Sequence, residues 1–590
     1  MPRWSLAEIY PSPDGPEFAA DVAAFRSSID SAMELIGDHE LRGRDLSEWL
    51  RRILPVYDRC HDLFENLESY AYAGYSVATG DPAAQRALNT AGELSVPLSE
   101  LNVTFRDALA DVPDDLDGIL ADQPDLEGYR YVLQEERFFQ SRQLSPMEES
   151  LAADLARSGA DAWSRLQETL SSTLSVVWDD DTQETKSVVE LRALAYDRDR
   201  GVRRRAWEKE LDAWKSVETP IAFALNGVKG ATNTLNTRRG WRSTLERSTR
   251  QNRLSHEALD ALIGEMRSAL PLFRRYLRIK ARSIGVERLG FYDLFAPLGN
   301  NTTRWSYDEA IEYIRTMLAD FDPDLGTFVR RLRDERWIDT DPRPGKVGGG
   351  YCIDFPVTGQ SRILTNFDGT YDGMSTLAHE LGHAWHSELL RDLPAGQRHY
   401  PMTLAETASI FNETLVFYRA LEDITDTDAQ LYILEQYLQG VTQVIVDILS
   451  RFEFESAVME RRRSHELSPD EFCRLMTEAQ NATYGDALDG DSLHPYMWAV
   501  KGHYYRSELG FYNFPYAFGQ LFGLGLYVTY EEEPGGFASR YRALLRETGR
   551  NDAVTVAADV GFDIESPTFW RSGLERIATL IDRFEELVGS

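Results

Sequence analysis

Two histidines four residues apart, with a glutamate directly after the first, form the run HELGH at residues 379–383. On a helix, positions i and i+4 share a face with Cβ atoms about 5–6 Å apart, so both imidazoles can reach one small cation. Zinc accepts imidazole nitrogen at about 2.0–2.1 Å, and one Zn2+ per chain, held by His379 and His383, is the expected cofactor. Glu380 then projects beside the ion without ligating it, where it can take a proton from an activated water. Residues 376–390 contain no proline, and Asp372 or Ser375 is placed to cap the helix they belong to.

A catalytic zinc needs a third protein ligand and an open position. His386 shares the face but follows His379 by seven residues, roughly 10 Å along a rigid helix, which is too far to converge on one ion. The extended pattern with Gly and His three and six residues past the second ligand also fails, because His386 and Leu389 stand there. Glu406, 23 residues past His383 in TLAETASIFNETLVFYRAL, has two readings. It is the third ligand, returned beside the first helix by a short connection, or it is the N3 residue of a capping box led by Thr403. The lack of another third ligand favours ligation. Glu413, two turns later, either accepts the free N–H of a ligating histidine or is a solvated surface carboxylate.

The elements that must position these groups are mostly helices. Amphipathic patterning predicts helices over 17–36, 46–72 and 147–174, separated by turn clusters such as those at 79–82 and 113–115. The β-branched run SVVWDDDTQETKSVVEL at 175–191 reads as a hairpin, and helical patterning resumes over 189–214. A soft boundary near 190 divides an N-terminal helical domain, 1–190, from a catalytic domain, 191–590. Just before the histidine helix, strands are predicted at 350–355 and 362–367, with Tyr351, Ile353 and Phe355 on one face. The fold class expected is mainly α with a small antiparallel β element.

Composition narrows the function. The 590 residues are 43% hydrophobic and 27% charged, ordinary values for a globular chain. Ninety-six acidic against 63 basic side chains leave a net charge of −33, which argues against nucleic acid and anionic membranes as partners and favours cationic peptides. Only seven of the basic residues are Lys. Three scattered cysteines without a CxxC pair point to a reducing compartment. The opening residues have no apolar stretch of signal type, and no run of about 18 apolar residues occurs. The expected location is cytoplasmic; no sequence feature specifies an oligomeric state.

The combination of HELGHAWH, LAETASIFNE and GHYY…FYNFPYAFG, with RWSLAEIYPSPDGPEF at the start and GGGYCIDFP…SRILTNFDG before the histidine helix, resembles the oligoendopeptidase F branch of the thimet-oligopeptidase-like metallopeptidases. The resemblance spans essentially the whole chain. It implies a bi-lobed helical shell around a deep channel, with zinc at its floor and short unstructured peptides as substrates. It carries the ligand role onto His379, His383 and Glu406 and the general-base role onto Glu380. It implies that the edge Gly348, Gly349, Gly350 and Tyr351 pairs with substrate backbone; a flexible turn entering a hairpin is the other reading of those glycines. It further implies that His503, with Tyr512 or Tyr516, binds the oxyanion of the tetrahedral intermediate. Interior packing is the alternative for the tyrosines, and Phe514 stands where relatives often carry Tyr. The activity implied is zinc-dependent endopeptidase; the rivals are a dipeptidase-type exopeptidase and an inactive peptide-binding protein.

Overall fold

Pro16, at the first turn after Gly15, starts a helix whose apolar residues Phe18, Phe25, Ile29, Ala32 and Ile36 line one buried face. This helix, α1 (Pro16–Gly37), packs on α2 (Leu46–Val77), which packs on α3 (Pro82–Ala108). Trp49 and Phe25 are fully buried between them, and each contributes about 1.5–3 kcal/mol by leaving water. The Trp49 indole N–H donates to the Leu35 carbonyl at 2.9 Å, so its polar atom is satisfied inside the core. Trp49→Ala would leave a cavity costing about 3–5 kcal/mol.

The computed structural model describes residues 1–112, 116–121, 123–301 and 303–589; the turn expected at 113–115 lies outside them. Helix accounts for 72% and strand for 4%, so the mainly α expectation holds. The chain forms two compact units. Unit 1 comprises Met1–Arg142, Thr303–Ala420 and Thr529–Phe562, and unit 2 comprises Gln143–Thr302, Leu421–Val528 and Asp563–Ser590. The boundary expected near residue 190 falls inside unit 2, within the helix Val188–Ala193.

In unit 2 the single helix expected over 147–174 is two, Pro146–Ser158 and Ala160–Thr173, interrupted at Gly159. The hairpin is present as β1 (Ser175–Asp179) antiparallel to β2 (Glu184–Ser187). Helix Glu218–Arg238 packs against Ala160–Thr173 and Ile448–Arg462, and His256–Ser283 packs against the final helix, Pro567–Gly589.

In unit 1, β3 (Ile338–Asp339), β4 (Tyr351–Phe355) and β5 (Gln360–Leu364) form a sheet in the order β3-β5-β4, so β4 is an edge strand. β4 and β5 are antiparallel, as predicted, while β3 adds a parallel pairing that the sequence pattern did not indicate. Ile353 and Phe355 face the helical core. Asp354, on the opposite face, accepts from Ser387 at 2.6 Å and Ser361 at 2.9 Å, tying the sheet to α4 (Tyr371–Leu390), the histidine helix.

Candidate metal centre

Helix α4 starts earlier than its sequence signals suggest. Thr370, not Asp372 or Ser375, is the N-cap; its Oγ1 accepts from Gly373 N at 3.1 Å and donates to Asp368 at 2.6 Å. The turn through Gly369, at φ +79°, delivers Thr370 to that position. Asp372 lies in the first turn, where its charge suits the helix dipole. The His379 and His383 rings meet on one face with their Nε2 atoms 3.2 Å apart.

Glu406 comes from a break in helix, not from a capping box. The run expected as one helix is divided into α5 (Met402–Ala405) and α6 (Thr407–Asp423), and Glu406 sits at the junction with φ −87° and ψ 4°. Its carbonyl accepts from Ile410 N, so its backbone opens α6 while its side chain is released toward the histidines. Glu406 Oε2 lies 3.3 Å from His379 Nε2 and 3.5 Å from His383 Nε2. Ser409 Oγ donates to the same oxygen at 2.8 Å and orients the carboxylate. Burial raises the Glu406 pKa, but its contacts with His379 and His383 hold it well below the usual carboxylate range.

Gly382 allows this approach. A methyl added there would lie 2.5 Å from both the Ala408 carbonyl oxygen and the Ser409 Cα. Helix α4 therefore meets the start of α6 backbone to side-chain-free backbone, and the contact sets where Glu406 stands.

The residues fit a zinc ion. A tetrahedral ion with bonds of about 2.0–2.1 Å has ligand–ligand edges of about 3.3–3.4 Å. The three donor atoms are separated by 3.2, 3.3 and 3.5 Å. His379, His383 and Glu406 are the one group of this kind among the described residues. Their side chains remain 24%, 22% and 22% exposed, which leaves a side open for a fourth ligand.

Behind the histidines, His379 Nδ1 lies 3.3 Å from Glu413 Oε2, and Ser375 Oγ donates to the other Glu413 oxygen at 3.3 Å. Burial opposes protonation of His379, but Glu413 and Glu406 push its pKa well up. A carboxylate at Nδ1 holds a proton there and leaves Nε2 as the ligating lone pair. Glu380 is buried, and that burial raises its carboxyl pKa. Gly350 lies against it: a methyl there would be 3.1 Å from Glu380 Oε1 and 3.0 Å from Thr376. Gly348 and Gly349 have open space beside them, Gly349 adopts φ +82°, and Asn366 donates to the Gly349 carbonyl at 3.1 Å. Tyr351 points the other way, its hydroxyl 2.6 Å from Ser76 Oγ. His386 is a buried structural residue, 2.8 Å from Thr548 Oγ1 and stacked on Tyr400 at 4.3 Å, with a pKa pushed down to about 3 by burial.

His503, Tyr512 and Tyr516 belong to unit 2, where they form their own cluster. The His503 and Tyr512 rings stack at 5.5 Å, and the Tyr512 and Tyr516 hydroxyls are 2.6 Å apart.

Residues 193–576 match the model of peptidase family M3, and residues 112–175 match that of oligopeptidase F. The chain belongs to peptidase family M3. It is a metallopeptidase by family, and the oligoendopeptidase F resemblance holds along its length. It is 23% identical to the oligopeptidase PepF of Bacillus subtilis over 99% of this chain and 87% of that protein. It is 24% identical to the plasmid oligoendopeptidase F of Lactococcus lactis subsp. cremoris, over 99% and 97%. Among solved structures, a putative peptidase from Chlamydophila abortus shares the fold at a TM-score of 0.80, with 21% identity and 98% of both chains covered. The oligoendopeptidase-F of Enterococcus faecium does so at 0.68, with 20% identity and 97% and 99% covered.

For this M3 chain, sequence reasoning passed over Gly382, Ser409 and Asp354 and gave Ser375 only a capping role. Gly382 had a readable signal, since a glycine inside a helix costs about 1 kcal/mol relative to Ala and needs a packing reason. The others had none: Ser375 and Asp354 find partners in distant segments, Glu413 and Ser387, and Ser409 donates to Glu406 three residues back, a pairing with no pattern of its own.

Proposed function

We propose that this chain is a zinc-dependent endopeptidase that hydrolyses internal bonds of short, unstructured peptides in the cytoplasm. The observation that carries the reading is the match between three donor-atom separations and the edges of a zinc tetrahedron. His379, His383 and Glu406 would hold the ion, which when bound supplies Lewis acidity for amide hydrolysis at neutral pH.

The chain's own groups do the rest. Glu380 takes a proton from the attacking water at a carboxylate oxygen and returns it to the leaving amine, and its raised pKa suits both transfers. Glu413 keeps the His379 tautomer that presents Nε2. The edge Gly348–Tyr351 offers backbone N–H and C=O groups to an extended peptide, as strand addition requires. His503, with Tyr512 or Tyr516, donates to the oxyanion as it develops. The cytoplasmic reading draws on Cys60, Cys352 and Cys473, all of them free thiols, and no helix among the described residues is long and apolar enough to cross a membrane.

The test is Glu380→Gln on a quenched, end-blocked decapeptide. The variant should retain zinc and lose nearly all turnover, while the unmodified enzyme cleaves the peptide internally and stops when chelated. Wild-type turnover by the variant would reject the general base. Failure to cut any end-blocked peptide would favour the exopeptidase instead.

A further inference from the structure

The turn that carries Tyr512 is gripped from two positions on the helix Ile448–Arg462. Glu455, one turn after Arg451, accepts from the Phe511 backbone N–H at 3.1 Å and pairs with Lys229 at 2.5 Å, both charges buried. Phe511 adopts φ +55°, a left-handed conformation uncommon for a bulky residue. Arg451 pairs with buried Asp447 and donates to Asn513 Oδ1 at 3.0 Å. Asn513 in turn faces His503, its Nδ2 2.8 Å from His503 Nε2.

The donor and acceptor roles along this chain admit one assignment. A guanidinium has only donors, so the atom of Asn513 facing Arg451 is the amide oxygen. The NH2 group therefore faces His503 and donates. His503 Nε2 must accept, which puts the ring proton on Nδ1. We propose that Asn513 and Arg451 lock His503 as its Nδ1–H tautomer and so act as positioning residues that aim its single N–H away from the anchored edge of the ring. Burial and the nearby cations Arg451, Lys229 and Lys501 push the His503 pKa down to about 2, in agreement with a neutral ring; the acidic groups closest to this network, Asp447 and Glu455, are themselves paired with Arg451 and Lys229. The kinetic consequence rests on the oxyanion role given to His503 above. The opposite tautomer would turn a lone pair toward developing negative charge.

The decisive measurement is the long-range 1H–15N spectrum of the zinc-loaded, full-length protein labelled at histidine nitrogens, with His503 assigned by its loss in His503→Gln. At neutral pH the ring should show the Nδ1–H pattern. In Asn513→Asp the carboxylate can only accept, so a proton must move onto Nε2; where the ring stays neutral Nδ1 loses its N–H and kcat should fall on the order of a hundredfold with KM unchanged, whereas a doubly protonated ring keeps Nδ1–H and its rate. An Nε2–H pattern in the unmodified protein would overturn the proposal, as would an Nδ1–H pattern that survives Asn513→Asp. Should Asn513→Asp not fold, the unmodified spectrum alone still decides the tautomer. The rate of His503→Gln separately decides the oxyanion role, because wild-type turnover there would reject that role and leave the tautomer assignment intact.

Discussion

The candidate metal centre of unit 1 and the His503 cluster of unit 2 are both built from polar side chains, but they are held in opposite ways. In unit 1, two helices come close because Gly382 has no side chain, and the three candidate ligands hang from that contact. In unit 2, buried ion pairs, Lys229 with Glu455 and Arg451 with Asp447, pin a turn whose backbone is strained at Phe511. A site held by close packing fails when atoms are added. A site held by buried charge fails when a charge is removed.

Four substitutions separate these modes. Lys229→Met should have the largest effect on stability, about 3–5 kcal/mol, because it strands the Glu455 charge in the interior. Denaturant unfolding measures this, and a loss well under 1 kcal/mol would show that the pair is not what holds the turn. Gly382→Ala should cost about 1–3 kcal/mol by overpacking. It should also weaken zinc binding in competition titrations, since Glu406 is pushed away from the histidines; unchanged affinity would mean that the approach of α4 to α6 does not set the ligand. Glu413→Gln should lower zinc affinity by roughly 10–100-fold while leaving the unfolding midpoint of the metal-free protein in place. The fourth test concerns Lys501, whose pKa burial and Arg451 push down from 10.5 to about 7. Between those values the unfolded chain binds a proton that the folded chain does not, so stability rises with pH across that window. Lys501→Met should remove this dependence, raising the thermal midpoint at neutral pH and converging with the unmodified protein near pH 10.5. Parallel curves for the two proteins would reject the assignment.

Legibility followed the distance over which each signal acts. The histidine helix was readable because HELGH is a local pattern with a period that chemistry demands. The strand pair before it was readable from alternation, although the parallel β3 was not, since a two-residue strand has no period. The helix over 147–174 was drawn too long because the lone Gly159 was read through. The capping box led by Thr403, the alternative reading of Glu406, is not the arrangement found: Thr403 lies inside the helix Met402–Ala405, and the chain breaks at Glu406.

The sequence by itself determined the chemistry on offer, because donor types and their spacing on one helix are properties of residues and of helix geometry alone. It also determined the predominance of helix, which follows from local periodicity. Only the tertiary structure decided that Glu406 faces the histidine pair, that Glu413 backs His379, and that Asn513 meets His503. Those pairings join residues 10 to 34 positions apart, and what closes such gaps is packing between segments, which no local pattern encodes.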